Sequence, residues 1–166
     1  IPAGSYDRIT VDGRETEVRL ELKELYSAIE EAKADALGVY DIKMLVDKGV
    51  MDVGILEHLP WTYTAGLFRS ARFGVTAAHG LGVVIQTNIL LSNGALEVTE
   101  DGRFRPVPER FFEGFEDLTR RLLMVQALGD YDGARQLVAD YGTVSDAMRA
   151  GLDRLATIPV DVDPTH

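Results

Sequence analysis

The chain has 166 residues, enough for one domain with a real core, and its 46% hydrophobic and 27% charged residues strike a globular rather than a disordered balance. Lys and Arg total 17 against 27 acidic residues, and the resulting net charge of −10 excludes a nucleic-acid surface built on a basic stripe and disfavours acidic substrates. The absence of Cys excludes disulfides, iron–sulfur clusters, thiolate zinc sites and a Cys nucleophile, and fits a cytoplasmic protein.

The chain opens at Ile1-Pro2-Ala3-Gly4 without an initiator Met, a basic n-region or an apolar signal core, as a fragment that begins mid-protein would. Asp7 to Val18 mixes β-branched residues with the turn dipeptide Asp12-Gly13 and predicts a short hairpin or extended arm. From Leu20 to Lys48 apolar residues recur at helical spacing, through Leu22, Leu25, Tyr26, Ile29, Leu37, Tyr40 and Met44, and Gly49 supplies a stop. Pro60 opens a second helix at its first turn, running from Trp61 to about Ala78, where His79-Gly80 interrupts it. The apolar run Val83 to Leu91 is either a further buried helix or a continuation after a kink. Gln86, Thr87 and Asn88 cut that run, so no stretch approaches the roughly 20 residues that span a bilayer, and a soluble protein is expected.

Ala95 to Thr99 and Arg103 to Val107, around Glu100-Asp101-Gly102, read as a hairpin ornamenting the surface. Pro108 to Leu128 is an amphipathic helix closed by Gly129. Asp130 caps a helix over Tyr131 to Tyr141, and Ser145 caps one from Asp146 to about Leu155. The tail from Ile158 to Pro164 is extended, because its two prolines cannot continue a helix. The expected fold is mainly α: a single helical domain over 1–166, with five to seven helices and one or two short β-hairpins.

Nucleotide-binding loops fail, since Gly80-Leu81-Gly82 lacks both the third glycine and a preceding strand. Ser70 and Ser92 lie in no Gly-x-Ser-x-Gly elbow, and Asp161-Val162-Asp163 lacks the rest of a calcium loop. What stands out is Glu30-Glu31-Ala32-Lys33-Ala34-Asp35, three carboxylates on a helix whose neighbours Ala28, Ile29, Ala32 and Ala36 suit close packing. Glu31 and Asp35 lie one turn apart on one face, while Glu30 is turned by about 100° from Glu31. Either the cluster is a solvated face paired with Lys23, Lys33 or Lys43, or it is half of a metal site in which a carboxylate ligates zinc and its neighbours orient ligating imidazoles. No His-Glu-x-x-His occurs. His58 reads as an exposed residue at a helix start, His166 carries no signal, and His79, among Ala77, Ala78 and Gly80, is either a core histidine or a donor to developing oxyanion charge.

Glu30 to Asp35 resembles the Glu-Glu-x-Lys/Arg-Ala-Glu/Asp motif of the dipeptidyl peptidase III family of zinc metallopeptidases. The similarity extends to Leu22-Lys23-Glu24-Leu25-Tyr26, to Phe68-Arg69-Ser70-Ala71-Arg72-Phe73-Gly74 with Ala78-His79-Gly80, and to Ile158-Pro159-Val160-Asp161. Those enzymes remove dipeptides from peptide N-termini, and some relatives carry a fused Nudix domain or that name, although no Nudix box is present here. The resemblance implies that Glu31 is a zinc ligand, that Glu30 and Asp35 hold the ligating histidines, and that His79 contacts substrate near the scissile bond. It also implies a preceding histidine helix with two further ligands and the general base. The expectation is therefore the C-terminal part of a zinc peptidase acting on peptides, inactive without the missing N-terminal part of the same protein. The competing reading is a non-catalytic helical binding module using the aromatic surface from Trp61 to Phe73.

Overall fold

A computed structural model describes residues 7–159. In chain order it holds β1 (Arg8–Val11), β2 (Arg14–Glu17), α1 (Val18–Leu22), a 3-10 turn (Lys23–Leu25), α2 (Tyr26–Asp47), α3 (Ile55–Ala71), α4 (Ala78–Ser92), β3 (Leu96–Val98), β4 (Phe104–Pro106), α5 (Pro108–Leu128), α6 (Tyr131–Tyr141) and α7 (Asp146–Arg154). The described residues thus form the expected mainly α fold, with seven helices and two antiparallel hairpins. No helix among them is long and apolar enough to cross a membrane.

The first hairpin turns at Asp12-Gly13, with both residues at positive φ, and pairs Val11 with Arg14. The second hairpin departs from the expected ornament. Ala95, Leu96 and Pro106 are buried, Val107 donates its backbone N–H to the Ala95 carbonyl at 2.9 Å, and Phe104 stacks edge-on against Phe68 at 4.7 Å. Its inner face belongs to the core.

Three helix boundaries also differ from the periodicity. The long helix expected from Leu20 is broken at Lys23, whose φ of 52° reverses the backbone sign. That turn seats buried Leu22 in the core and brings the Lys23 ammonium 4.7 Å from the centre of the Tyr131 ring. α3 begins at Ile55, ahead of Pro60, because its first turn closes through Ile55, Leu56 and Glu57 N–H bonds to the carbonyls of Asp52, Val53 and Gly54. Pro60 lies within the helix, and its carbonyl accepts from the Thr64 hydroxyl at 2.7 Å. The helix stops at Ala71 rather than near Ala78, and after a short loop α4 starts afresh at Ala78. Of the proposed extended tail, the Ile158 carbonyl accepts from the Arg72 guanidinium, and residues 160–164 lie outside the described residues.

α4 runs through the middle of the fold, packed against α2, α3, α5, α6 and β3. Val83, Val84, Ile85, Ile89 and Leu90 are almost wholly buried and meet Ile29, Ala32 and Ala36 of α2 and Phe111, Phe115, Leu118 and Leu122 of α5 in one core. Gly82 allows the closest approach, since a Cβ there would lie 3.0 Å from the Ala28 carbonyl oxygen and 3.2 Å from the Ala32 nitrogen. Both are backbone atoms of α2 and cannot swing aside. Gly82→Val is therefore expected to destabilise the fold by about 1–3 kcal/mol, as overpacking does. Chemical denaturation measures this, and an unchanged midpoint would refute the close-packing account.

The helix starts of the C-terminal third follow the sequence closely. Asp130 accepts from the Gly133 N–H at 2.8 Å, and Ser145 accepts from the Met148 N–H at 3.2 Å. Asp130→Ala should cost about 1 kcal/mol. In a domain of this size that is a fall of about 2–4 °C in melting temperature, readable by calorimetry.

Candidate metal-ligand and substrate site

The three carboxylates of α2 have separate partners. Glu30 Oε2 accepts from Lys33 Nζ at 2.7 Å and from Gln126 Nε2 of α5 at 2.8 Å. Asp35 Oδ2 accepts from Gln86 Nε2 of α4 at 3.0 Å. Glu31 Oε2 lies 3.1 Å from Nδ1 of His79, the second residue of α4. Of the lysines offered as partners for a solvated face, Lys33 pairs with Glu30, whereas Lys43 pairs with Asp47 and Lys23 lies over the Tyr131 ring.

Gln86 is fully buried and Gln126 nearly so, whereas the side chains of Glu31 and His79 are 50% and 47% exposed. His79 is thus not a core histidine. It is placed by α4 and by the loop before it, which crosses the first turn of the helix. A Cβ on Gly80 would run into the Gly74 carbonyl and the Val75 backbone, so glycine at 80 permits this loop to lie where it does. Of the other histidines, His58 is exposed in the first part of α3, as expected, and His166 lies outside the described residues.

Behind Asp35 the hydrogen bonding continues inward. The Tyr63 hydroxyl of α3 bonds Gln86 Oε1, and the Tyr63 ring packs edge-on against Phe115 at 4.7 Å. Burial pushes the Tyr63 phenol well above its ordinary range, and the Asp35 charge adds to the effect, so the hydroxyl stays protonated and donates. Sequence reasoning treated Gln86 only as an interruption of an apolar run and did not single out Gln126 or Tyr63. A buried amide needs a partner, and a glutamine inside Val83 to Leu91 was the signal that could have found the first of them.

A zinc ion, implied by the family resemblance, can be tested against this donor set. Glu31 is an anionic oxygen donor at a solvent-open surface, with an imidazole as its hydrogen-bond partner, and this fits one ligand of a zinc site. Glu30 and Asp35 each use one oxygen in the bonds above, and the other has no hydrogen-bond partner among the described residues. Such carboxylates can accept from the free N–H of a ligating histidine. Among the described residues no three His, Cys, Asp or Glu side chains converge as a complete metal site. The residues fit one ligand and its supporting carboxylates.

No family model matches the chain. It is 38% identical over 160 residues to a curated Arabidopsis thaliana protein called Nudix hydrolase 3, covering 95% of this chain and 21% of that protein. Among solved structures it is similar to a DPP III from Caldithrix abyssi, with a TM-score of 0.93, 39% identity, and coverage of 96% of this chain and 30% of the other. It is also similar to a dipeptidyl-peptidase III from Corallococcus sp. strain EGB, with a TM-score of 0.90, 40% identity and the same two coverages. The chain spans less than a third of the length of each of these relatives. Over nearly its whole length the chain is a counterpart of part of the dipeptidyl peptidase III structures, the family that its sequence resembles.

Proposed function

We propose that this chain is the C-terminal part of the catalytic region of a zinc-dependent peptidase of the dipeptidyl peptidase III type. The observation that carries the reading is the meeting of Glu31 and His79, 48 positions apart in sequence, at 3.1 Å on a solvent-open surface beside two carboxylates tethered by one oxygen each. In this reading Glu31 ligates zinc, Glu30 and Asp35 hold the ligating histidines, and His79 faces a peptide substrate. Zinc, when bound, supplies Lewis-acid polarisation of the scissile carbonyl and lowers the pKa of a coordinated water. The chain's own work is to offer the Glu31 oxygen, to orient Glu30 and Asp35, and to bring the His79 imidazole to the bond being cleaved. The two histidine ligands and the general base come from the N-terminal part of the parent protein, so the isolated chain is inactive.

Calorimetric zinc titration of this chain and of a form extended at its N-terminus tests the proposal. Micromolar or tighter binding that appears only in the longer form and depends on Glu31 supports it. Equal affinity in both forms, or none in either, refutes it. One feature favours a second reading as a binding module: Trp61, half exposed, rims an apolar groove of about 360 Å³ lined by Thr64, Phe68, Phe104 and Leu155. The aromatic surface is narrower than the sequence suggested, since Tyr63 and Phe68 are turned inward while Trp61 and Phe73 stay out.

A further inference from the structure

The geometry points to Gln86 as a positioning residue that, held by Tyr63, fixes the Asp35 carboxylate through one oxygen and leaves the other to accept from a ligating imidazole. The inference rests on the zinc-peptidase reading and extends it to residues that the acidic motif does not contain.

Packing alone does not account for Gln86. It is fully buried between Ile85 and Thr87 in a helix whose other inward residues are Val83, Val84, Ile89 and Leu90, and an apolar side chain there would continue the core without an amide to satisfy. The amide has one orientation available to it. The Asp35 carboxylate accepts, so Nε2 turns to it, and Oε1 is left to accept from the Tyr63 hydroxyl. The tyrosine is itself clamped by edge-on contacts with Phe111 and Phe115. A chain of two hydrogen bonds therefore runs from the aromatic core of α3 and α5 to a half-buried carboxylate on α2.

The chemistry of the donor matters as much as its place. A Lys or Arg at position 86 would pair with Asp35 and cancel its charge, whereas a neutral amide holds one oxygen and leaves the full negative charge in place. That charge is what a carboxylate needs to strengthen an imidazole ligand through its N–H. Gln126, on a different helix, also gives Glu30 a bond from a nearly buried amide, although there the same oxygen is paired with Lys33 as well, so the neutral-amide arrangement is particular to Asp35. The two carboxylates flanking Glu31 are thus each set by a glutamine from a neighbouring helix, and Glu31 has none.

The test has two arms. In the metal-free chain, three-bond couplings of the Asp35 β-methylene read its side-chain rotamer by NMR. The wild type should show one rotamer, Gln86→Leu an averaged one, and Tyr63→Phe, which keeps the ring and removes only the hydroxyl, partial averaging. A single unchanged rotamer in folded Gln86→Leu, or in Tyr63→Phe where the leucine variant does not fold, overturns the proposal. In the zinc-loaded parent protein, competition titration should find zinc held about 10-fold more weakly by Gln86→Leu. Ile89→Val, a core change in the same helix that leaves both hydrogen bonds intact, should not alter zinc affinity. Averaged couplings with unchanged zinc affinity would likewise overturn a positioning role. A wild-type parent that binds no zinc at all would defeat the peptidase reading itself, and the metal-free couplings separate that failure from failure of the Gln86 relay.

Discussion

Glu31→Ala in the zinc-loaded parent protein is expected to remove bound zinc and abolish peptide cleavage while the fold survives. The side chain is half exposed, and its partner His79 is nearly half exposed too, so its loss leaves no buried donor or acceptor unsatisfied. Surface changes of this kind shift stability by no more than about 0.5 kcal/mol. Its Cβ, the part that packs towards Gly82, is retained by alanine. The effect should therefore fall on the metal alone, because zinc-bound catalysis needs every protein ligand and Glu31 is the anionic one on this chain. Metal analysis after dialysis, peptide hydrolysis and a thermal melt decide the matter together. A zinc-replete variant with full activity would sink the assignment, and a variant that loses its melt along with its zinc would make Glu31 a structural residue.

His79→Ala is expected to lower turnover by about 10²–10³-fold, the usual cost of removing one donor to developing oxyanion charge, with zinc content unchanged. The separation of these two effects is what distinguishes the roles. His79 touches the proposed ligand through Nδ1 at 3.1 Å, so a metal-binding role for the imidazole would show up as zinc loss, whereas a substrate-facing role would show up in kcat with zinc retained. Because the ring is nearly half exposed and the backbone around it is set by Gly80 against the preceding loop, alanine should leave α4 in place. Steady-state kinetics beside metal analysis gives the answer. Zinc loss, or unaltered turnover, would refute the role given to this histidine.

The C-terminal helices and the hairpins were legible because their signals are local. Asp130 and Ser145 cap through bonds that span three residues, Gly129 closes α5, and Asp12-Gly13 takes the positive φ values that a tight hairpin turn demands. The break at Lys23 and the early start of α3 escaped the same reasoning. Periodicity alone continues through Leu22 and Leu25, and the Lys23 turn makes sense only once Leu22 enters the core and Tyr131 arrives beneath the ammonium. The second hairpin was misjudged for a like reason, since only the packing of Phe104 on Phe68 reveals its inner face.

For the candidate site the division is sharper. The sequence by itself determined that three carboxylates share one helix, that Glu31 and Asp35 face the same way, and that histidines with metal spacing are absent from the chain. Those are consequences of helical pitch and residue identity. Only the tertiary structure decided what each carboxylate touches: Gln86 is 51 positions from Asp35, Gln126 is 96 from Glu30, and His79 is 48 from Glu31. Those bonds exist because Gly82 lets α4 lie against the backbone of α2 while α5 closes on the other side. A hydrogen bond needs its donor and acceptor within a few tenths of an ångström of the right distance, and across such separations that precision comes from packed helices and not from any local preference of the chain.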